Sequence, residues 1–223
     1  SRLTVVTGRR RIGKTTLIKE AYKDEPYVYL FVGRKNESVL CREFCEEYQV
    51  KTGTFVPPMS AFRDVFRFFM EEGKRRKYTL VFDEFQNFLE VNPSIYSDIQ
   101  NWWDKYQKES HVNMVVSGSV YSLMEKLFKD RKEPLYGRQD STIKLQAFPT
   151  SILKQIMVDN APGYSNDDLL ALYTFTGGIP KYVELFIDVK ATTCEKMIAK
   201  ICKEDSPLIE EGRKLLIQEF GKK

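Results

Sequence analysis

Gly8-Arg9-Arg10-Arg11-Ile12-Gly13-Lys14-Thr15 reads G-x-x-x-x-G-K-T, the spacing of a phosphate loop. An apolar strand, Leu3 to Val6, leads into it. A helical segment from Thr15 to Tyr22 leads out, with Leu17, Ile18 and Ala21 on one side. Both flanks are what an anion site needs. The strand anchors the loop, glycines let backbone N–H groups turn inward, and the helix N-terminus adds partial positive charge. In such a loop Lys14 reaches the β- and γ-phosphates of a nucleoside triphosphate, and the Thr15 hydroxyl joins the Mg²⁺ shell. The expected contact set is Gly8, Arg9, Arg10, Arg11, Ile12, Gly13, Lys14 and Thr15, with Thr16 adjoining.

The second informative stretch is Tyr78-Thr79-Leu80-Val81-Phe82-Asp83-Glu84-Phe85-Gln86. A buried strand there delivers two adjacent carboxylates at its C-terminal end, the edge where parallel α/β sheets bind ligands. Downstream of a phosphate loop the pair divides the work. Asp83 is expected to hold Mg²⁺, directly or through water, and Glu84 to orient and polarise the attacking water. A third apolar run, Val112 to Ser117, ends in Ser117-Gly118-Ser119. A hydroxyl at that end either senses the γ-phosphate or caps the helix carrying Leu123, Met124, Leu127 and Phe128.

Composition narrows the setting. A chain of 223 residues can bury a sizeable core, as one larger domain or two modest ones. It has no apolar run of the roughly 20 residues that cross a bilayer and no signal-like start, so a membrane partner is not expected. The opening at Ser1 gives almost no lead-in to the first strand and reads as a fragment of a longer polypeptide. Cys41, Cys45, Cys194 and Cys202 form no C-x-x-C pair. Reduced thiols in helices and a cytoplasmic location are the expectation. His111 is the single histidine and is expected in a loop before a strand, which argues against histidine triads and multi-histidine metal sites. A net charge of +4 permits nucleic-acid contact without arguing for it.

Between these motifs the periodicity is plain. Tyr27 to Val32 (YVYLFV) reads as a strand buried on both faces. Ser38 to Tyr48 is helical. Ser60 is placed to cap a helix with the stripe Phe62, Val65, Phe66, Phe69 and Met70. Lys74-Arg75-Arg76-Lys77 reads as a solvated loop. Ser94 is placed to cap a helix with Ile95, Ile99, Trp102, Trp103 and Tyr106 on its stripe. Ser141 to Leu145 alternates like a strand. Beyond Phe148-Pro149 only helical patterns follow: 151–158, 166–174, 181–189, 194–202 and 208–220. The expected division is a core of residues 1–149 and an all-helical domain of 150–223.

Taken together, GRRRIGKTTLI (8–18), LVFDEFQ (80–86), VVSGS (115–119), LYGR (135–138) and TGGIPKY (176–182) resemble the archaeal-type P-loop ATPases. That family lies near the signal-transduction ATPases with numerous domains and is related to the AAA+ proteins. The resemblance implies an α/β fold: a three-layer P-loop core with a five-stranded parallel sheet in the order 5-1-4-3-2, and a small helical lid. It places Ser117 in a sensor-like position, Arg138 where an arginine can reach the γ-phosphate, and Gly178 and Pro180 on a turn near the adenine. Glu84, Lys14 and Arg138 are then the catalytic set, and Thr15 and Asp83 the metal set, with ATP and Mg²⁺ as ligands. ATP rather than GTP rests on the resemblance and on the lack of an N-K-x-D motif. The chain departs from the family pattern in lacking an extra N-terminal strand and helix, and it stops before any winged helix or nuclease-like domain.

Three function classes fit these residues. One is an ATPase coupling hydrolysis to core–lid movement or assembly. Another is a nucleotide-dependent switch or scaffold, with a second copy, a protein or nucleic acid as partner. The last is a small-molecule kinase, which the adjacent acids Asp83 and Glu84 speak against.

Overall fold

The computed structural model describes residues 1–203. In chain order these form β1 (Arg2–Thr7), α1 (Lys14–Ala21), β2 (Tyr27–Phe31), α2 (Glu37–Thr52), α3 (Phe62–Arg75) and β3 (Tyr78–Asp83). A 3-10 turn (Phe85–Asn87) comes next, then α4 (Phe88–Val91), α5 (Ile95–Tyr106), β4 (Val112–Gly118), α6 (Tyr121–Lys129) and β5 (Ser141–Lys144). The rest is helical: α7 (Thr150–Asn160), α8 (Asn166–Thr176), α9 (Pro180–Asp188) and α10 (Cys194–Ile201). The helix expected over 208–220 lies outside the described residues.

The strands make one sheet in the order β2-β3-β4-β1-β5, every pair parallel. This is the expected order read from the opposite edge. Parallel pairing requires crossover connections, and all six residues of β3 are buried, as a central strand covered on both faces must be. The register aligns the strand ends. Val6 pairs with Ser117 and Thr7 with Gly118, while Phe31 pairs with Asp83. The ends of β1, β3 and β4 therefore meet at one sheet edge.

An aromatic cluster holds that edge from below. Phe82 meets Phe44, Phe62, Phe66, Phe85 and Phe88 with ring centroids 5.9–6.4 Å apart. Strand side chains alternate faces, so anchoring Phe82 on one face fixes the backbone that presents Asp83 on the other.

Several local expectations change. β2 is an edge strand whose Tyr27 and Tyr29 are half-buried and whose Phe31 is exposed. It is therefore buried fully on one face only. α1 buries Ile18, but Leu17 and Ala21 are exposed. Helix α3 has the predicted stripe, all buried, yet Ser60 does not cap it. Ala61 occupies the cap position, and the Phe62 N–H donates instead to Glu37 Oε1 at 2.8 Å. Ser94 sits at the cap position of α5 but turns its hydroxyl to Asn92. On that helix Trp103 is buried and Trp102 only partly so.

The basic run is no open loop either. α3 extends through Arg75, Lys74 pairs with Glu109, and Arg75 pairs with Glu72 at 2.9 Å. Arg76 donates to Tyr48 Oη at 2.8 Å and Thr54 Oγ1 at 2.7 Å. Cations already matched in this way give no independent sign of phosphate-backbone contact. Cys41 and Cys45 are buried free thiols on α2, and burial pushes the Cys41 thiol up to about 12.

The chain divides into two compact units. One is Ser1–Gly8 with Lys14–Lys144; the other is Arg9–Gly13 with Leu145–Lys223. In the second, the described helices pack Leu153, Met157, Leu172, Val183, Phe186 and Met197 together. Helix α8 starts on a capping box between Ser165 and Asp168 and ends on left-handed Gly177. No helix among the described residues is long and apolar enough to cross a membrane.

Candidate active site

The loop comes first. Gly13 takes φ 92°, and a Cβ there would meet nothing within 4 Å. The glycine is required by conformation and leaves open space above the loop. Arg11 also has positive φ, at 65°, an uncommon conformation for a side-chain-bearing residue. Its guanidinium lies 5.6 Å from the centroid of the Tyr182 ring. Ile12 is buried with Ile179 and Tyr182, so its side chain is committed to apolar packing, while its N–H donates to the Arg9 carbonyl at 3.4 Å. Arg9, Arg10 and Thr16 are exposed.

Lys14 opens α1 with 6% of its surface exposed. Its Nζ donates to the Gly8 carbonyl at 3.0 Å. Burial lowers its pKa, opposed by the charges of Glu84 and Asp83. The ammonium is thus held where burial penalises its charge and two acids partly offset that penalty.

Asp83 collects donors from three other elements. Its Oδ2 accepts from Thr15 Oγ1 at 2.8 Å and from the Tyr29 phenol. Its Oδ1 accepts from Ser117 Oγ and from the Glu84 N–H at 3.0 Å. Ser117 is fully buried. Burial and then the bond to Asp83 push the Tyr29 phenol pKa up, so it is held as a neutral donor.

Glu84 sits at φ 56° and ψ 42°. A left-handed glutamate costs of order 1–3 kcal/mol and persists only when its surroundings fix it. Those surroundings are visible. Glu84 Oε2 accepts from Ser119 Oγ at 2.7 Å and Gln86 Nε2 at 2.5 Å. Gln86 is buried against Gly118, where a Cβ would lie 2.5 Å from Gln86 Oε1 and 2.4 Å from Met124 Sδ. Gly118 thus makes room for the amide that holds the glutamate. Between sensing and capping, the two serines stand against a cap: α6 has Val120 at its cap position, and both hydroxyls face the acids.

Arg138 stands elsewhere. Nε and Nη2 form a fork on Asp104 of α5 at 2.9 and 2.6 Å, and Nη1 donates to the Pro134 carbonyl at 2.7 Å. In the second unit, Gly178 has φ 72°, and a Cβ on it would lie 2.3 Å from the Phe148 carbonyl oxygen. Only glycine fits there. Pro180 opens α9 at the first helical position.

The structure therefore brings Lys14, Thr15, Asp83, Glu84 and Ser117 together. Tyr29, Ser119 and Gln86 join them; Ser119 and Gln86 close the motifs VVSGS and LVFDEFQ, whereas no motif marks Tyr29. The one sequence signal for Tyr29 is a hydroxyl recurring in an otherwise apolar strand. The donor set fits a small hard cation shared with phosphates: one hydroxyl and one carboxylate, all oxygen. Among the described residues no group of three or more His, Cys, Asp or Glu could hold a metal unaided.

Comparison with known proteins bears on the family and the fold. The family model for an ATPase domain predominantly from Archaea matches residues 1–186. An uncharacterised protein of Methanocaldococcus jannaschii is 26% identical over 216 residues, covering 97% of this chain and 46% of its own length. The chain thus spans a little under half of that relative. Among solved structures, the fold is similar to a Walker-type ATPase of Pyrococcus abyssi. That match has a TM-score of 0.69 and 17% identity, covering 96% of this chain and 68% of that one. It is also similar to the ORC2 protein of Aeropyrum pernix, solved as ADPNP–ADP complexes. There the TM-score is 0.59 with 14% identity, covering 100% and 63% of the two chains. A phosphate loop strapped to an acidic strand end, on this sheet order and with this family match, places the chain in the family of ATPase domains found predominantly in Archaea.

Proposed function

We propose that the chain binds ATP with Mg²⁺ and hydrolyses the β–γ phosphoanhydride. The observation that carries this reading is the 2.8 Å hydrogen bond from Thr15 to Asp83. It ties the loop to the end of β3 and sets Lys14, Thr15, Asp83 and Glu84 at one edge. Lys14 binds the β- and γ-phosphates, and loop N–H groups orient them. Thr15 and Asp83 would hold Mg²⁺, which when bound neutralises charge across those oxygens. Glu84 orients the attacking water. Ser119 and Gln86 both occupy its Oε2, so the proton is accepted at Oε1. Ser117 fixes Asp83. Gly178 and Pro180 shape the adenine side, and nucleotide state is coupled to movement between a core of residues 1–149 and a lid of 150–223.

The Arg138 fork on Asp104 favours a second reading of the output. An arginine contribution is worth about 10³–10⁵ in turnover. While Arg138 stays on Asp104, intrinsic hydrolysis is slow. The chain then behaves as a nucleotide-dependent switch whose output is assembly or recruitment in the cytoplasm, with a second copy, a protein or DNA as partner. Turnover with and without DNA, and oligomer size with ATP and ADP, separate the two outputs.

Two variants test the site. Lys14→Ala abolishes ATP binding in a calorimetric titration. Glu84→Gln retains ATP but releases phosphate about 10²–10⁴-fold more slowly. Equal turnover of Glu84→Gln and wild type would overturn Glu84 as the base.

A further inference from the structure

A carboxylate offers about four lone-pair positions, and on Asp83 the protein fills four. Ser117 Oγ and the Glu84 N–H take Oδ1; Thr15 Oγ1 and the Tyr29 phenol take Oδ2. A cation, or a water bound to one, can reach this carboxylate only if a donor yields. The Glu84 N–H is fixed by the turn after β3. Ser117 has no exposed surface. Thr15 need not leave, because a hydroxyl can donate its proton to Asp83 and still offer a lone pair to a cation.

Tyr29 is different. It is half-buried on the edge strand β2, so part of the residue is already exposed. Lys19 Nζ lies 5.0 Å from its ring centroid, and that contact favours the ring staying where it reaches Asp83. We propose that Tyr29 is a displaceable positioning residue, one that competes with the divalent cation for Asp83 Oδ2 and so sets the cation concentration the nucleotide site requires. The inference rests on the reading of Asp83 as the metal carboxylate.

The sign comes from where the bond exists. The phenol stabilises Asp83 before the cation arrives and is lost afterwards, so removing it favours the bound state. A hydrogen bond to a charged group is worth about tenfold in affinity. The test uses Mn²⁺ and ADP on the full chain, with bound Mn²⁺ counted by electron paramagnetic resonance and Mg²⁺ added as competitor. Wild type, Tyr29→Phe and Asp83→Asn are compared, and ADP affinity is measured separately in chelator.

Tyr29→Phe is expected to bind Mn²⁺ with ADP about tenfold more tightly while its ADP affinity in chelator is unchanged. Unchanged or weaker Mn²⁺ binding by Tyr29→Phe, with Asp83→Asn losing the ion, overturns the role of Tyr29 and leaves Asp83 standing. An equal shift of ADP affinity in chelator overturns it as well, because the effect then lies in the loop. Wild-type Mn²⁺ affinity in Asp83→Asn removes both readings together.

Discussion

The sheet unit and the helical unit each contain an aspartate with several donors, and they differ in where those donors come from. Asp83 is buried and draws on α1, β2 and β4 as well as its own turn. Asp168 is partly exposed. It serves Ser165 three residues before it, through that residue's N–H and hydroxyl, and accepts the Cys194 N–H at 2.7 Å. The second arrangement is mostly a helix cap, satisfied within a turn of chain. The first takes a charge out of water at a real cost and recovers it only if four parts of the fold are in place. An acid whose satisfaction draws on a helix, two neighbouring strands and its own turn is built for something other than holding one helix end.

Mutations can break that contrast. The largest expected effect is Phe82→Ala. Phe82 underlies Asp83 and meets five rings, so truncation costs about 3–5 kcal/mol in urea unfolding. Nucleotide affinity falls with it under conditions where the variant is still folded. Stability lost with affinity intact would show that the strand end is held independently of the core.

Next is Ser119→Ala, which removes one of the two donors on Glu84 Oε2. A lost bond to a charged group is worth about 1.5 kcal/mol. Steady-state kinetics should show kcat reduced roughly tenfold with KM unchanged. A raised KM with kcat unchanged would make Ser119 a binding residue instead.

The smallest effect belongs to the helical unit. Asp168→Asn costs about 1 kcal/mol, the usual worth of a cap. Hydrogen bonds from the Ser165 and Cys194 backbones, then from the Ser165 hydroxyl, hold the Asp168 carboxyl below its usual range. A depressed folded pKa contributes stability above the unfolded value and loses it as pH falls. The gap between wild type and variant should therefore close in acid, over and below the ordinary carboxylate range. A gap that is constant with pH would assign the effect to packing.

How much of the fold and the site is legible in the sequence depends on the distance between partners. The strand before Gly8, the helix after Gly13 and the acids ending β3 are each visible in a short window, and the sheet order comes with the family resemblance. Tyr29 is not legible. Its partner Asp83 lies 54 residues away, and the run YVYLFV reads the same whether one face or two is covered. The start of α3 is hidden for the same reason, since the acceptor at its first N–H is Glu37, 25 residues upstream. Arg138 shows the limit from the other side. Its motif is visible, but its fork on Asp104, 34 residues earlier, lies across helix α5, and no local pattern registers it.

The grouping of Arg9–Gly13 with the helical unit has a consequence for anyone cutting this chain into parts. The unit is discontinuous: five residues of loop belong to it, although Gly8 before them and Lys14 after them belong to the sheet. A piece beginning at Leu145 would lack Ile12 and leave Ile179 and Tyr182 without one of their buried neighbours. The segment Arg9–Gly13 therefore cannot be assigned to either module by cutting the chain once.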